Sequence, residues 1–189
     1  MTDTTNYLET FPAWLGTLGA DAASLATVLG SSEIPSGSRE AVAGGLNYLF
    51  KSLDLIPDGI ADIGFLDDAF VLRVTADLAV RDSLEGVDDA TQDAVHRLAG
   101  ECETIRGFLA QDYERLETYV RGLRTASARG RTVGEILENA DVRSEFVSEV
   151  QGFSENYEAP TFSREERNLV KLKAFFDAKL PRKRESLAP

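Results

Sequence analysis

The sequence predicts an all-α protein, and three observations support this class. Apolar residues recur at steps of three and four along most of the chain, which is the spacing of one helix face. No segment has the alternating, β-branched pattern that is typical of a half-buried strand. The stretches "TVGE" (residues 132–135) and "SREE" (163–166) have the capping-box pattern found at helix starts. We therefore expect residues 1–189 to form a single helical domain.

Three helices are predicted in the N-terminal part. The first spans residues 12–29, where an apolar stripe ends at a glycine. In the polar loop that follows, Ser38 is a favoured N-cap residue for a second helix that runs to about Lys51. The third helix spans about residues 66–84. The few prolines, Pro12 among them, lie at the predicted joints between helices.

A long helix is predicted over residues 89–128. Its apolar residues form a heptad seam with a lapse at Asp112–Tyr113, a pattern suited to antiparallel packing or to a coiled coil. A continuous helix of this length would span about 60 Å, so we expect a kink near Gly107 or Gly122, or a projecting arm. The seam predicts a protein partner or a homo-oligomer. Its residues are Val95, Leu98, Cys102, Ile105, Leu109, Leu116, Val120 and Leu123.

The C-terminal part predicts three further helices. A short one follows Thr132, helical spacing covers residues 142–157, and a last helix covers residues 163–180. The last helix is basic, since residues 164–184 contain eight basic and three acidic side chains. The basic residues have two interpretations: they complement the helix dipole, or they contact an acidic surface within the protein or on a partner.

Composition narrows the class of function. The chain has a formal net charge of -12 and 43% hydrophobic residues, which indicates a soluble protein that does not bind nucleic acid. A single cysteine, Cys102, excludes an internal disulfide and indicates a reducing, cytoplasmic environment. With only one histidine, His96, a zinc site of cysteines and histidines is excluded. The longest apolar run is about half the length of a membrane span.

The stretch "LDLIPDGIADIGFLDD", residues 53–68, places five aspartates among aliphatic residues. One interpretation is structural. Asp54 suits the N-cap of a turn that contains Pro57, while Asp67 and Asp68 suit the positive end of the next helix. The aliphatic residues would then bury the corner between two helices.

The second interpretation is a cation site formed by Asp54, Asp58, Asp67 and Asp68. Carboxylates that share one place repel each other, and a bound Mg²⁺, Mn²⁺ or Ca²⁺ relieves this repulsion. The spacing does not match a calcium-binding EF-hand loop. Arginine pairing is a rival solution, and Arg39 and Arg73 are the candidates for it. Apart from such a cation, the sequence predicts no cofactor and no catalytic residue.

The same region carries a family resemblance. Tyr48, the run Asp-Leu-Ile-Pro-Asp at residues 54–58 and the run Gly-Phe-Leu-Asp-Asp at 64–68 resemble the signature of the YkvA-like family, a bacterial domain of unknown function. The resemblance covers residues 40–79 and implies a helical hairpin, found in some membrane-associated proteins, without an established reaction. This chain departs from the signature at Lys51-Ser52, where family members often carry Ser-Pro.

Three hypotheses of function follow. The first is a non-enzymatic interaction or scaffold protein, which the seam and the uneven charge favour. The second is a divalent-metal-dependent enzyme, in which an ion held by the aspartates activates water. The third is a peripheral membrane module that uses the basic last helix on anionic lipid.

Overall fold

The computed structural model of the chain describes residues 4–52 and 54–182, and it confirms the all-α class. It contains two short 3-10 turns, Ala110–Asp112 and Leu123–Thr125, and two small antiparallel strands, β1 (Ser127–Ala128) and β2 (Arg131–Thr132). The α-helices are α1 (Thr4–Val28), α2 (Ser36–Tyr48), α3 (Leu66–Ala79), α4 (Asp89–Leu109), α5 (Tyr113–Gly122), α6 (Val133–Glu138), α7 (Ala140–Asn156) and α8 (Glu166–Lys179).

Helix α3 lies at the centre of the fold. It packs against α1, α2, α4 and α5, and 12 of its 14 residues are buried. Phe70 on α3 contacts the rings of Phe11, Trp14, Phe108 and Phe176, which come from α1, α4 and α8. The core is therefore built around α3, whose buried face is apolar apart from Asp67, Asp68, Arg73 and Thr75.

Two adjacent glycines bring α2 close to its neighbours. A Cβ added at Gly45 would overlap the side chain of Thr75 on α3, which is fully buried. A Cβ added at Gly44 would lie 2.9 Å from the backbone carbon of Leu123. Real Cβ atoms do not approach other heavy atoms so closely, so the absence of a side chain at both positions sets the spacing of α2 from its neighbours.

Arg73 forms a buried ion-pair network at the middle of α3. Its guanidinium donates to Glu101 Oε2 at 2.6 Å, to Asp21 Oδ2 at 3.3 Å and to the Ala69 carbonyl at 3.0 Å. The guanidinium carbon also lies 4.1 Å from the centre of the Trp14 ring. Because Arg73 and Asp21 are almost fully buried, these contacts offset the cost of removing their charges from water.

The prediction of one continuous helix over residues 89–128 is wrong. Helix α4 ends at Leu109, Ala110 adopts a φ of 51°, and α5 starts at Tyr113. The break coincides with the lapse in the heptad pattern, three residues after Gly107, and α5 itself ends at Gly122, so helix ends lie near both glycines where a kink was expected. It lets α5 fold back against α3, so both helices pack on the domain and neither projects as an arm.

The seam is also not free for a partner, contrary to the prediction. All eight seam residues are buried in the core of the protein, with exposures of 5% or less. Their apolar surface is therefore already covered by the protein's own helices. A partner protein would need a different surface.

Several predicted helix boundaries also differ. Helix α1 starts before residue 12 and contains Pro12 in its interior, so this proline is not a joint. Helix α2 starts at Ser36, and Ser38 is not its N-cap, because its hydroxyl donates to the Ala79 carbonyl at 2.9 Å. Helix α3 starts where predicted, and it ends at Ala79, earlier than residue 84.

The two predicted capping boxes have different outcomes. The first is confirmed, since Thr132 and Glu135 bond reciprocally at the start of α6. The second is wrong: α8 follows Glu165, which makes no side-chain cap, and Ser163 instead accepts from the amide of Asn168 at 2.8 Å. The backbone N–H of Ser163 makes a long-range hydrogen bond to Asp62, which is described below.

Helix α8 lies within residues 163–180, so the predicted C-terminal helix is confirmed. Its basic residues Arg167, Lys171 and Lys179 are exposed, and Val170 beside them is 69% exposed. Lys183 and Arg184, which contribute to the predicted basic segment, lie outside the described residues. No helix in the described ranges combines the length and apolarity needed to cross a bilayer.

Candidate site at the aspartate cluster

Residues 49–65 join α2 to α3 and form what we call the connector. The chain turns sharply here: Asp62 and Phe65 adopt φ values of 71° and 64°, in the left-handed region. Gly64 has no room for a side chain, because an added Cβ would overlap the Asp58 carbonyl oxygen. The connector is therefore a tightly folded corner in which buried aliphatic side chains, including Ile56 and Ile63, hold the backbone against the core.

Asp67 fixes the connector to the start of α3. Its Oδ2 accepts from the Tyr48 hydroxyl at 2.5 Å and from the Ile56 backbone N–H at 3.0 Å. The Tyr48 oxygen in turn accepts from the Leu55 N–H at 2.7 Å. These bonds join the end of α2, the connector and α3 in one network. Because all of these groups are buried, each bond stabilises the fold by satisfying a group that water does not reach.

The other oxygen of Asp67 has no such role. Asp67 Oδ1 is buried and has no hydrogen-bond partner among the described residues. Asp68, the next residue, is also buried, with 3% exposure. Asp54 is half-buried and Asp58 is exposed. The four residues, which we call the aspartate cluster, thus extend from the core to the surface.

The pKa values show that the four carboxyls influence one another. Burial, and then the charge of Asp58, raise the pKa of Asp54 to about 6. Burial raises the pKa of Asp67 to about 6, although its hydrogen bonds to Tyr48 and Ile56 oppose this. Burial and the charges of Asp67, Asp58 and Asp54 raise the pKa of Asp68 well above its usual value. The four aspartates that the sequence singled out are therefore near enough for their charges to act on one another, and their role as a cation site stays a prediction.

The arginines expected to neutralise this cluster do not do so. Arg73 instead forms ion pairs with Asp21 and Glu101. Arg39, the second candidate, has no ion pair with the cluster among the described residues, and its Nε has no hydrogen-bond partner there. No described residue forms an ion pair with any of the four aspartates, and Lys51 acts on Asp54 only through its nearby charge. The rival solution, arginine pairing, is therefore wrong for the described part of the chain.

Two parts of this site carried no sequence signal. The Asp62 carboxylate accepts from the Ser163 backbone N–H at 2.7 Å, and this bond lowers the pKa of Asp62. Tyr157, just after α7, packs its ring edge-on against Phe65, at 5.7 Å between ring centres. Both contacts bring the C-terminal segment against the connector, at a separation of about a hundred residues, which no local pattern reveals.

The cluster does not form a complete shell of direct metal ligands. Within residues 4–52 and 54–182, no three histidine, cysteine, aspartate or glutamate side chains are arranged so that they hold one metal ion together. The buried carboxyls have no positively charged partner. They can therefore share protons among themselves or attract a cation.

The raised pKa values predict an unusual pH dependence of stability. A carboxyl whose pKa is higher in the folded state than in the unfolded state binds more protons when folded. Its stabilising contribution is complete below its usual pKa near 4 and is lost as the pH rises through about 6. In the presence of a chelator, we expect the melting temperature to fall between pH 4.5 and pH 7, as measured by circular dichroism.

The Asp68→Asn variant tests the origin of this slope. It removes one carboxyl and its repulsion of Asp67, so the fall in melting temperature over the same pH range should become smaller. Asp93→Asn, at an exposed position on α4, is the matched control and should retain the wild-type slope. A melting temperature that rises or stays constant from pH 4.5 to 7 in the wild type would contradict the prediction.

Comparisons with known proteins identify the central segment. No curated protein and no solved structure matches the chain. A family model does match, and it covers the region that forms most of α2, the connector and the first half of α3. Residues 40–73 match the family described as protein of unknown function (DUF1232), which confirms the family resemblance of the helical hairpin and of the aspartate cluster within it.

Proposed function

We propose that this protein is a non-enzymatic helical binding module whose aspartate cluster takes up a divalent cation. The observation that carries the proposal is the burial of Asp67 and Asp68 without an ion-pair partner among the described residues, with Asp67 Oδ1 also lacking a hydrogen-bond partner there. A buried negative charge without compensation is costly, and the cluster has two means of relieving that cost: protons or a cation.

A cation would act on the connector. Asp54 and Asp58 belong to the connector, while Asp67 and Asp68 belong to α3, so an ion between them would join the two segments. Hard divalent cations such as Mg²⁺, Mn²⁺ and Ca²⁺ prefer carboxylate oxygens, which are the groups present here. A bound ion would replace the protons on these carboxyls. It would also stabilise the connector, which the hydrogen bond between Asp67 and Tyr48 already holds against α3.

Thermal unfolding tests this proposal. After treatment with a chelator and dialysis, the protein is melted at pH 7.5 alone and with Mg²⁺, Mn²⁺ or Ca²⁺. A ligand at a hundred times its dissociation constant stabilises the folded state by about 2.7 kcal/mol, which corresponds to a rise of several degrees in melting temperature. We expect such a rise with at least one of these ions.

The variant Asp58→Asn should abolish most of this rise. Asp58 is exposed, so its substitution leaves the core and the Asp67 network unchanged. Asp93→Asn serves again as the control and should respond to the ion as the wild type does. If no ion changes the melting temperature, the cluster does not bind cations, and the aspartates serve only to build the hairpin.

A further inference from the structure

A cleft lies between the first half of α2, the end of α3 and the end of α5. It has a volume of about 300 Å³, which is at the lower end of the range of small-molecule sites. Glu40 on α2, Asp82 just after α3 and Arg121 on α5 are among its lining residues, none of which belongs to the aspartate cluster. The cleft is therefore separate from the proposed cation site.

Part of the cleft is apolar. Ala41, Leu78 and Val120 line it, and they come from α2, α3 and α5. Val120 is buried, and Leu78 packs against the core of the protein. Because the three helices also pack on one another, this apolar part is formed by the fold itself. It offers a place for a short aliphatic group, which would be removed from water there.

The basic side of the cleft is formed by three arginines. Arg81 forms ion pairs with Asp77 at 2.7 Å and with Glu117 at 3.1 Å. Arg121 forms an ion pair with the same Glu117 at 2.6 Å. Within the described ranges, the side chain of Arg124, in the second 3-10 turn, has no ion pair and no hydrogen bond. All the N–H donors of its guanidinium are therefore available to a carboxylate.

The acidic side of the cleft is formed by Glu40 and Asp82. Asp82 Oδ2 accepts from the Ser38 hydroxyl at 3.4 Å, which is long for a hydrogen bond of this kind. The Glu40 carboxylate has neither an ion pair nor a hydrogen bond in the part of the chain that the structure describes. Glu40 and Arg124 thus line one cleft with opposite charges, and they do not form an ion pair with each other.

This arrangement of charges favours a small zwitterion. An anion that approaches the arginines also comes near two carboxylates, and a cation that approaches the carboxylates comes near the arginines; in both cases like charges repel. A molecule with a carboxylate, an ammonium group and a short aliphatic body pairs with both sides at once and buries its apolar part. These are the groups of a free aliphatic amino acid.

We propose that the cleft binds a free aliphatic amino acid, whose carboxylate pairs with Arg121 and Arg124. Its ammonium group pairs with Glu40 and Asp82, and its side chain packs against the apolar part of the cleft. The inference goes beyond the proposed function and does not depend on it. Of these four charged residues, only Glu40 lies within the family-matched segment 40–73.

Isothermal titration calorimetry of the full chain with L-leucine tests the class of ligand. Two analogues each lack one charged group of leucine: isocaproate has no ammonium group, and isoamylamine has no carboxylate. In a low-salt buffer free of amines and carboxylates, we expect L-leucine to bind saturably. Each analogue should bind about tenfold more weakly or worse, because it leaves one side of the cleft without its partner.

The variants Arg124→Gln and Glu40→Gln test the location of the site. Each removes a charge that has no described partner, so the melting temperature should stay near that of the wild type. The affinity for L-leucine should fall by about tenfold or more in each. Arg167→Gln is the matched control, because Arg167 is an exposed arginine on α8 that does not line the cleft. It should retain the wild-type affinity.

Three results would overturn this inference. The absence of saturable L-leucine binding would exclude an aliphatic amino acid as the ligand. Binding of isocaproate or isoamylamine as tight as that of leucine would show that the cleft does not recognise both charges. Wild-type affinity in both Arg124→Gln and Glu40→Gln would place the leucine site elsewhere on the molecule. None of these results depends on divalent cations, so the proposed function is tested separately.

Discussion

Replacing Gly45 by alanine should destabilise the protein by about 3 kcal/mol, at the upper end of the usual cost of overpacking a core. The new methyl group would overlap the Thr75 side chain, which is fully buried on the central helix. Helix α2 would have to move away from α3, and the loss would appear as a lower urea midpoint in equilibrium unfolding.

Gly100→Ala is the matched control for this substitution. Gly100 lies inside α4, it is exposed, and an added Cβ there would meet no atom within 4 Å. Because alanine has a higher helix propensity, this variant should gain up to about 1 kcal/mol. Equal urea midpoints for the two variants would show that the contact between α2 and α3 is not as tight as the structure describes.

Replacing Arg73 by methionine should cost about 3–5 kcal/mol, the range measured when one partner of a buried ion pair is removed. The substitution leaves Asp21 buried, and it removes the bonds to Glu101 and to the Ala69 carbonyl. It also removes the contact with the Trp14 ring. Trp14 is the only tryptophan of the chain, so its fluorescence follows the unfolding directly.

Arg97→Met provides the comparison within the same network. Arg97 also binds Asp21, at 2.6 Å, but its side chain is 46% exposed. An exposed ion pair typically contributes about 1 kcal/mol or less, so we expect a much smaller loss than for Arg73. If both variants lost the same stability, burial would not be the property that makes Arg73 important.

The sequence predicted the existence of the helices better than their ends. The apolar periodicity is a repeated signal that many residues share, so the helical segments were found. The ends depend on single contacts with distant parts of the chain. Ser38 has the side chain of an N-cap, but its hydroxyl is used by Ala79 on α3, and Ser163 gives its backbone N–H to Asp62.

The break after α4 illustrates a second limit. Glycine is the residue expected at a helix interruption, and the sequence offers Gly107 and Gly122. The residue with a positive φ at the first break is Ala110 and not a glycine, in a conformation that alanine adopts rarely. The burial of Tyr113 and Leu116 just after the break is a favourable contribution that can offset this local cost. Local propensity is small compared with the free energy of burying such residues.

The site was predicted in part. Aspartates within a short stretch of sequence are necessarily near one another, so the motif was enough to place the four carboxyls in one region, and their role as a cation site stays a prediction. The burial of Asp67 and Asp68 depends on the packing of α1, α2, α4 and α5 against α3, which joins distant parts of the chain. The packing of Tyr157 against Phe65 depends on where α7 ends, so it was accessible only from the structure.

The central position of α3 has a consequence for the exchange of its amide hydrogens with solvent. Helices α1, α2, α4 and α5 pack against it and 12 of its 14 residues are buried, so we expect local openings to leave its backbone protected. Its slowest hydrogens exchange only when the whole domain unfolds, and their rate reports the global free energy of unfolding. A ligand that binds at the surface end of the aspartate cluster should therefore slow the exchange of amide hydrogens along the whole of α3, including those that it does not contact.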